Sequence, residues 1–243
     1  MILTSKNNPL VKETAALKDK KARKTLGMFL VEGEKMVAEC KKSGLRIDRV
    51  FVSQSYKGET EDGFVCLSDD VFKYLSDEKT PQGILCRVEI PVCPLNKPEN
   101  VAIVLDGVSD PANVGAIIRT ANAAGYKDVY LIGCADPYSP KSVRASMSGV
   151  FFVRIYQGTR EEILKTLQGI PLICADMDGE NVFRFHAPER FALVIGNEGN
   201  GISDEVFSAA THKIRIPMEE TQESLNAAVS AGIAMYLLKK DSF

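Results

Sequence analysis

Three short stretches of this chain combine residue types suited to holding a ligand and handling charge. The first is Gly196-Asn-Glu-Gly-Asn-Gly201, where the apolar run Phe191 to Ile195 stops. Glycine adopts positive φ freely and lets backbone approach a ligand closely. Asn197 and Glu198 add an amide and a carboxylate that a purely structural turn does not require. The second stretch is Asp106-Gly-Val-Ser-Asp-Pro-Ala-Asn113, followed by Arg119. Asn113 reads as a helix N-cap, with Val114, Ile117, Ile118 and Ala121 at the spacing of a core-facing helix. Neighbours on a helix diverge by about 100°. Arg119 therefore leaves the core face, as a surface charge or as a functional one. The third stretch is Ile214-Arg-Ile-Pro-Met218, continued by Glu223-Ser-Leu-Asn-Ala227. A strand ends there in Pro-Met and a helix begins around Ser224 and Asn226, serving as caps or as polar ligands, with Leu225 turned inward.

The elements that must position these residues follow from the pattern. Phe191 to Ile195 has the length and β-branched content of a strand, and an apolar strand without alternation implies a parallel sheet covered on both faces. Ser203, Asp204 and Glu205 open a helix, so the glycine loop lies at the carboxyl end of a strand, where open α/β sheets bind ligands. Further strands are predicted at 101–105, 128–132, 151–155, 172–175 and 213–217, with helices at 160–167 and 204–210. This β-then-α repetition gives an α/β fold with a mostly parallel sheet. Small residues Ala227, Ala228, Ala231, Gly232 and Ala234 let the last helix pack closely on another helix or on a partner subunit.

Upstream, strands at 28–31, 46–53, 64–67 and 84–90 alternate with helices at 34–42 and 70–75 as a compact α/β domain of their own. A first helix, capped by Ser5 or Asn7, carries Leu10, Ala15, Leu17 and Ala22 on one side and lysines on the other. Pro91, Pro94 and Pro98 suit neither a helix interior nor a central strand and mark a boundary. The expected organisation is a first domain over 1–91, a linker over 92–98 and a second domain over 99–243.

Composition narrows the classes. The chain of 243 residues is 45% hydrophobic, and no apolar run approaches a membrane span. With no apolar signal segment after Met1, a soluble cytoplasmic protein without membrane partners is expected. Six scattered cysteines without a C-x-x-C pair and only two histidines argue against a metal site and for reduced, buried thiols. A net charge of −2 argues against indiscriminate nucleic-acid binding. Basic residues nevertheless concentrate at the amino end as Lys6, Lys12, Lys18, Lys20, Lys21, Arg23 and Lys24, read either as a solvated face or as an RNA contact.

Taken in order, the three stretches resemble the signature motifs of the SpoU/TrmH branch of the SPOUT superfamily, RNA ribose 2′-O-methyltransferases. The matching residues are Asp110-Pro-Ala-Asn-Val-Gly-Ala-Ile-Ile-Arg-Thr-Ala121, Ile195-Gly-Asn-Glu-Gly-Asn-Gly201, and Ile216-Pro-Met218 with Glu223-Ser-Leu-Asn226. Lys141 to Ser146 is similar to the segment between the first two motifs. The first domain resembles the family's small substrate-binding domain, itself similar to ribosomal RNA-binding proteins. The resemblance implies a trefoil-knotted carboxyl-terminal α/β domain that binds S-adenosylmethionine and works as a homodimer. It places Gly196, Ile216 and Leu225 around the adenosine, with Ile195, Gly199 and Met218 as further walls. Arg119, Asn113, Glu198, Ser224 and Asn226 fall on its catalytic and RNA-facing positions. Arg119 there acts as base, alkoxide stabiliser or phosphate clamp. Ala112, Asn122 and the glycine-free Glu219-Glu-Thr-Gln222 depart from common family residues.

Ribosomal RNA is the expected substrate, because the extra amino-terminal domain accompanies many ribosomal members; transfer RNA is the alternative. A non-catalytic RNA-binding protein would be signalled by loss of Arg119 or Asn226, and both are present. A nicotinamide oxidoreductase would need G-x-G-x-x-G after the first strand, and that is missing.

Overall fold

The computed structural model describes residues 2–239. Residue 1 and residues 240–243, the outer ends of the two expected domains, lie outside the described residues. The amino-terminal lobe runs β1 (Ile2–Leu3), α1 (Pro9–Ala16), α2 (Lys20–Leu26), β2 (Met28–Glu32), α3 (Glu34–Lys42), β3 (Ile47–Ser53), β4 (Val65–Leu67), α4 (Asp69–Leu75) and β5 (Ile84–Glu89). Its mixed sheet has the order β1-β4-β3-β5-β2, with β5 antiparallel to both β2 and β3.

The single amino-terminal helix expected from sequence is two helices. Asn8, not Ser5 or Asn7, caps α1, its side chain accepting from the Leu10 N–H at 2.9 Å with Pro9 in the first turn. The break comes at Asp19, whose carboxylate takes the N–H groups of Lys21 and Ala22 and so starts α2. A capping carboxylate outcompetes continuation through a lysine-rich stretch with little apolar surface to bury.

The second lobe runs β6 (Ala102–Asp106), α5 (Pro111–Ala123), β7 (Asp128–Ile132), α6 (Pro140–Ser146), β8 (Arg154–Gly158), α7 (Arg160–Thr166), β9 (Leu172–Asn181), β10 (Ala192–Gly196), α8 (Asp204–Ser208), β11 (His212–Arg215) and α9 (Ala227–Leu237). Its six strands are all parallel, in the order β11-β9-β10-β6-β7-β8. Strands β6 and β7 are buried along their whole length, which explains their unbroken apolar sequences. The strand expected at 151–155 starts instead at Arg154. Gly149–Phe151 forms one turn of 3-10 helix that buries Val150 and Phe151, a use of aromatic and β-branched residues that local pattern does not separate from a strand.

The lobes share one hydrophobic core. Phe29 of β2 lies 5.0 Å from the Tyr138 ring and 6.5 Å from Phe151 of the second lobe. Arg23 of α2 is 4% exposed and sends Nε and Nη2 to Asp136 Oδ2 at 2.8 and 2.7 Å, while Nη1 donates to the carbonyls of Leu17 and Lys18. Arg144 of α6 reaches back to Asp77 and Glu78. Residues 92–98 lie along the second sheet: Tyr130 Oη donates to the Asn96 carbonyl at 2.5 Å and Lys97 Nζ to that of Gln168 at 2.7 Å. Two of the amino-terminal cations are therefore structural, Arg23 in this ion pair and Lys18 on the carbonyls of Tyr74 and Ser76. Lys6, Lys12, Lys20, Lys21 and Lys24 remain exposed.

Burial holds several acids neutral. Desolvation pushes the Cys134 thiol from 9.0 up to about 11 and Cys174 up to about 12, and raises the buried phenols of Tyr126, Tyr130 and Tyr138. A folded-state value above the unfolded one contributes stability that is fully present below the unfolded value and lost as pH rises through the folded one. Stability is therefore expected to fall from pH 9.0 upward, with the Cys134 contribution gone beyond about pH 11. Denaturant melts across this window check it, and a thiol reagent at pH 8 should leave both cysteines unmodified until unfolding.

Candidate functional site

The three motifs converge at the carboxyl ends of β6 and β10, adjacent strands that pair in register from Ala192 with Ala102 to Gly196 with Asp106. Helix α5 begins earlier than Asn113. Asp110 is its N-cap, accepting from the Ala112 N–H at 2.9 Å, and Pro111 opens the first turn. Lys141 bonds the Asp110 carboxylate at 2.8 Å and, with that backbone contact, holds its pKa below the usual value. Because Asp110 does the capping, the Asn113 amide is free for other work. Asn113 Nδ2 donates to Glu198 Oε1 at 2.7 Å, and Asn226 Nδ2 donates to Asn113 Oδ1 at 3.0 Å. One residue from each motif thus enters a single network centred on Asn113. Asn226 also caps α9, its Oδ1 accepting from the N–H groups of Ala228 and Val229. Cap and network residue are the same side chain.

The glycine loop is closed on itself. Asn197 and Gly201 exchange both backbone hydrogen bonds at 2.9 and 3.0 Å. Asn197 Oδ1 accepts from the N–H groups of Gly199 and Asn200, and its Nδ2 donates to the Gly107 carbonyl at 2.7 Å. Oδ1 is spent on the turn and Nδ2 on the first motif, so the sequence reading of Asn197 as a spare polar group is corrected. A Cβ on Gly196 would stand 2.3 Å from the Gly201 carbonyl carbon, which explains the glycine there. Glu198, Gly199 and Asn200 are exposed at the tip.

The other expected residues lie around this network. Ile216, Met218 and Leu225 are half-buried, on the segments after β11 and before α9, with Ile216 packed against the core. Ile195 is 3% exposed, within the core beneath the loop. Ser224 is exposed, and among the described residues only its carbonyl is engaged, by Gln222. Arg119 is exposed and makes no hydrogen bond or ion pair among the described residues. It stands about 9 Å farther along α5 than Asn113 and roughly 240° around it. Gly149 packs on its backbone, where a Cβ would lie 2.9 Å from the Arg119 Cα. Sequence reasoning missed the roles of Asp106, Ser203 and Arg160, which tie the loop from below. The available signal was a lone carboxylate ending an otherwise apolar strand.

No group of three or more His, Cys, Asp or Glu among the described residues is placed to hold a metal ion, and no described helix is long and apolar enough to cross a membrane. A solved AdoMet-bound rRNA methyltransferase from Sinorhizobium meliloti superposes with a TM-score of 0.90 at 27% identity, covering 100% of this chain and 98% of that one. The parallel sheet with its three loops therefore defines an α/β methyltransferase fold carrying an appended amino-terminal lobe. More particularly, the chain belongs to the SpoU rRNA Methylase family, whose model matches residues 100–236. An MRM3-like substrate binding domain model matches residues 8–86. Among curated relatives, the 23S rRNA (guanosine(2553)-2′-O)-methyltransferase RlmP of Bacillus subtilis is 31% identical over 98% of both chains. The 23S rRNA (uridine(2479)-2′-O)-methyltransferase of Streptomyces viridochromogenes is 26% identical, over 96% of this chain and 90% of its own.

Proposed function

We propose that this protein transfers a methyl group from S-adenosylmethionine to a ribose 2′-hydroxyl of ribosomal RNA. The observation that carries the reading is the Asn113 network, which joins residues 85 and 113 positions away at one end of the sheet. The residues fit the cofactor. Half-buried Ile216, Met218 and Leu225 offer apolar surface to a flat base, and the loop Gly196 to Gly201 presents backbone and polar groups beside them. Gly196 and Gly199 belong to that loop, and Ile195 supports it from within the core.

When bound, S-adenosylmethionine supplies an electrophilic methyl group for in-line displacement. Asn113, Glu198, Ser224 and Asn226 would hold and orient the ribose for that transfer. Arg119 donates hydrogen bonds to the oxygen as its proton departs to water, stabilising the developing alkoxide. A guanidinium has no acceptor lone pair, so this role suits it better than that of a base.

Residues 1–91 form the RNA-binding domain, with 92–98 as linker and 99–243 as the transferase domain. Exposed Lys12, Lys20, Lys21 and Lys24 are its phosphate contacts. The assembly is a homodimer through α9, an apolar helix whose Val229 and Tyr236 are 49% and 44% exposed. After edge strand β11 the chain returns to lay α9 on α5 and β10, a path consistent with the trefoil knot. The protein works in the cytoplasm.

The test is transfer of radiolabelled methyl from S-adenosylmethionine into separated, undermodified ribosomal and transfer RNA, followed by nuclease and alkali digestion. Label in an alkali-resistant dinucleotide from ribosomal RNA is the expected result. Label in transfer RNA alone would reassign the substrate, and no label in either would overturn the reading.

A further inference from the structure

Asp106 ends β6 with its residue 1% exposed, at the level of Gly196 on β10. A carboxylate taken out of water needs partners on both oxygens. Oδ2 accepts from the Ser203 N–H at 2.8 Å and from the Ser203 hydroxyl at 2.5 Å. Oδ1 accepts from Arg160 Nε at 3.2 Å, and Nη2 of the same guanidinium lies 3.2 Å away in the ion pair. Arg160 Nε also lies 2.8 Å from Ser203 Oγ, so the hydroxyl donates to Asp106 and accepts from Arg160. The three side chains close a ring across β6, the start of α7 and the start of α8.

Ser203 carries a second observation. It is the N-cap of α8, where a serine oxygen ordinarily accepts from the helix N–H groups. Here the side chain makes no capping bond and is turned back to Asp106. Tethering wins over capping. At the other end of the loop, Asn197 Nδ2 holds the carbonyl of Gly107, the residue after Asp106. Both ends of the 197–203 segment are therefore fastened to two consecutive residues of the first motif. Between them the loop carries Glu198, which holds Asn113.

We infer that Asp106, Ser203 and Arg160 are positioning residues for methyl transfer, fixing the spacing between the first motif and the glycine loop without touching either reactant. The inference rests on the methyltransferase reading above. The ring sets cofactor affinity, because it holds the loop in one arrangement before binding. It leaves the methyl-transfer step itself to Arg119 and the Asn113 network.

The experiment compares Ser203→Ala, Ser203→Thr and Arg160→Gln in the full chain. A hydrogen bond to a charged group corresponds to about a tenfold change in affinity. Ser203→Ala is expected to raise the S-adenosylmethionine KM and calorimetric Kd about tenfold with kcat little changed. Ser203→Thr, which keeps the hydroxyl, restores both constants. Arg160→Gln, on a side chain 42% exposed, raises KM less, and the backbone N–H groups of 198–202 exchange faster in Ser203→Ala than in the parent. An unchanged KM in Ser203→Ala, a fall in kcat alone, or failure of threonine to rescue overturns the inference while leaving the function standing. Parent protein that takes up no S-adenosylmethionine overturns both together.

Discussion

Arg119→Ala is expected to lower kcat for methyl transfer by about 10²–10³-fold while S-adenosylmethionine affinity stays unchanged. The size follows from what the side chain does in the proposed step. It is the exposed cation of α5 with no internal partner among the described residues, so its removal leaves no buried carboxylate stranded and costs the fold little. What it loses is donation to an oxygen that becomes charged only in the transition state, which lowers kcat and kcat/KM equally. Arg119→Lys keeps the charge but not the planar fork, and recovers part of the rate. Single-turnover transfer beside calorimetric binding checks this. A loss of cofactor affinity matching the loss of rate would place Arg119 in the cofactor pocket instead.

The largest expected effect on stability is at the junction of the lobes. Asp136→Ala strands the Arg23 guanidinium, 4% exposed, without its carboxylate, and breaking a buried pair from one side costs about 3–5 kcal/mol. Asp136 retains 14% exposure, so water reaches the gap and the lower end of that range applies. For a chain of this size, about 3 kcal/mol lowers Tm by roughly 6–12 °C. Arg23→Met combined with Asp136→Leu removes both charges and should recover part of the loss, but not all of it, because it also leaves the Leu17 and Lys18 carbonyls and the Tyr138 N–H without these partners. Thermal melts of the two variants decide it, and a double variant as unstable as the single would move the cost from the unpaired charge to packing and the backbone bonds that both side chains make.

The strands at 102–106 and 192–196 were legible because both their faces are covered, so residues 102–105 and 192–195 are all apolar and no alternation confuses the period. The three motifs were legible because glycine, proline and amide residues punctuate those strands at their carboxyl ends. The convergence of Asn113, Glu198 and Asn226 was reached through the family resemblance, since nothing local states that positions 85 and 113 residues away meet. Helix starts went astray where two capping residues competed: Asp110 displaced Asn113, and Asn8 displaced Ser5 and Asn7. Polarity alone did not reveal whether Asn197 faces a ligand or its own turn, because satisfaction of an amide is a three-dimensional property. Likewise Arg23 counted with the basic face by composition, although its partner lies 113 residues on and draws it inside.

The Asn113 network also has a timing. On a ribosome adding about 5–20 residues per second, Asn113 emerges roughly 6–23 seconds before Asn226. Through that interval the apolar face of α5 has no α9 to lie against, and the Asn113 amide oxygen has no donor from the third motif. Nascent chains ending between residues 201 and 225 carry the glycine loop and the first motif yet cannot assemble the site. A protein interrupted in that window leaves the α9-facing side of α5 uncovered in place of a finished enzyme, and so presents itself to chaperones and proteases before it can engage RNA.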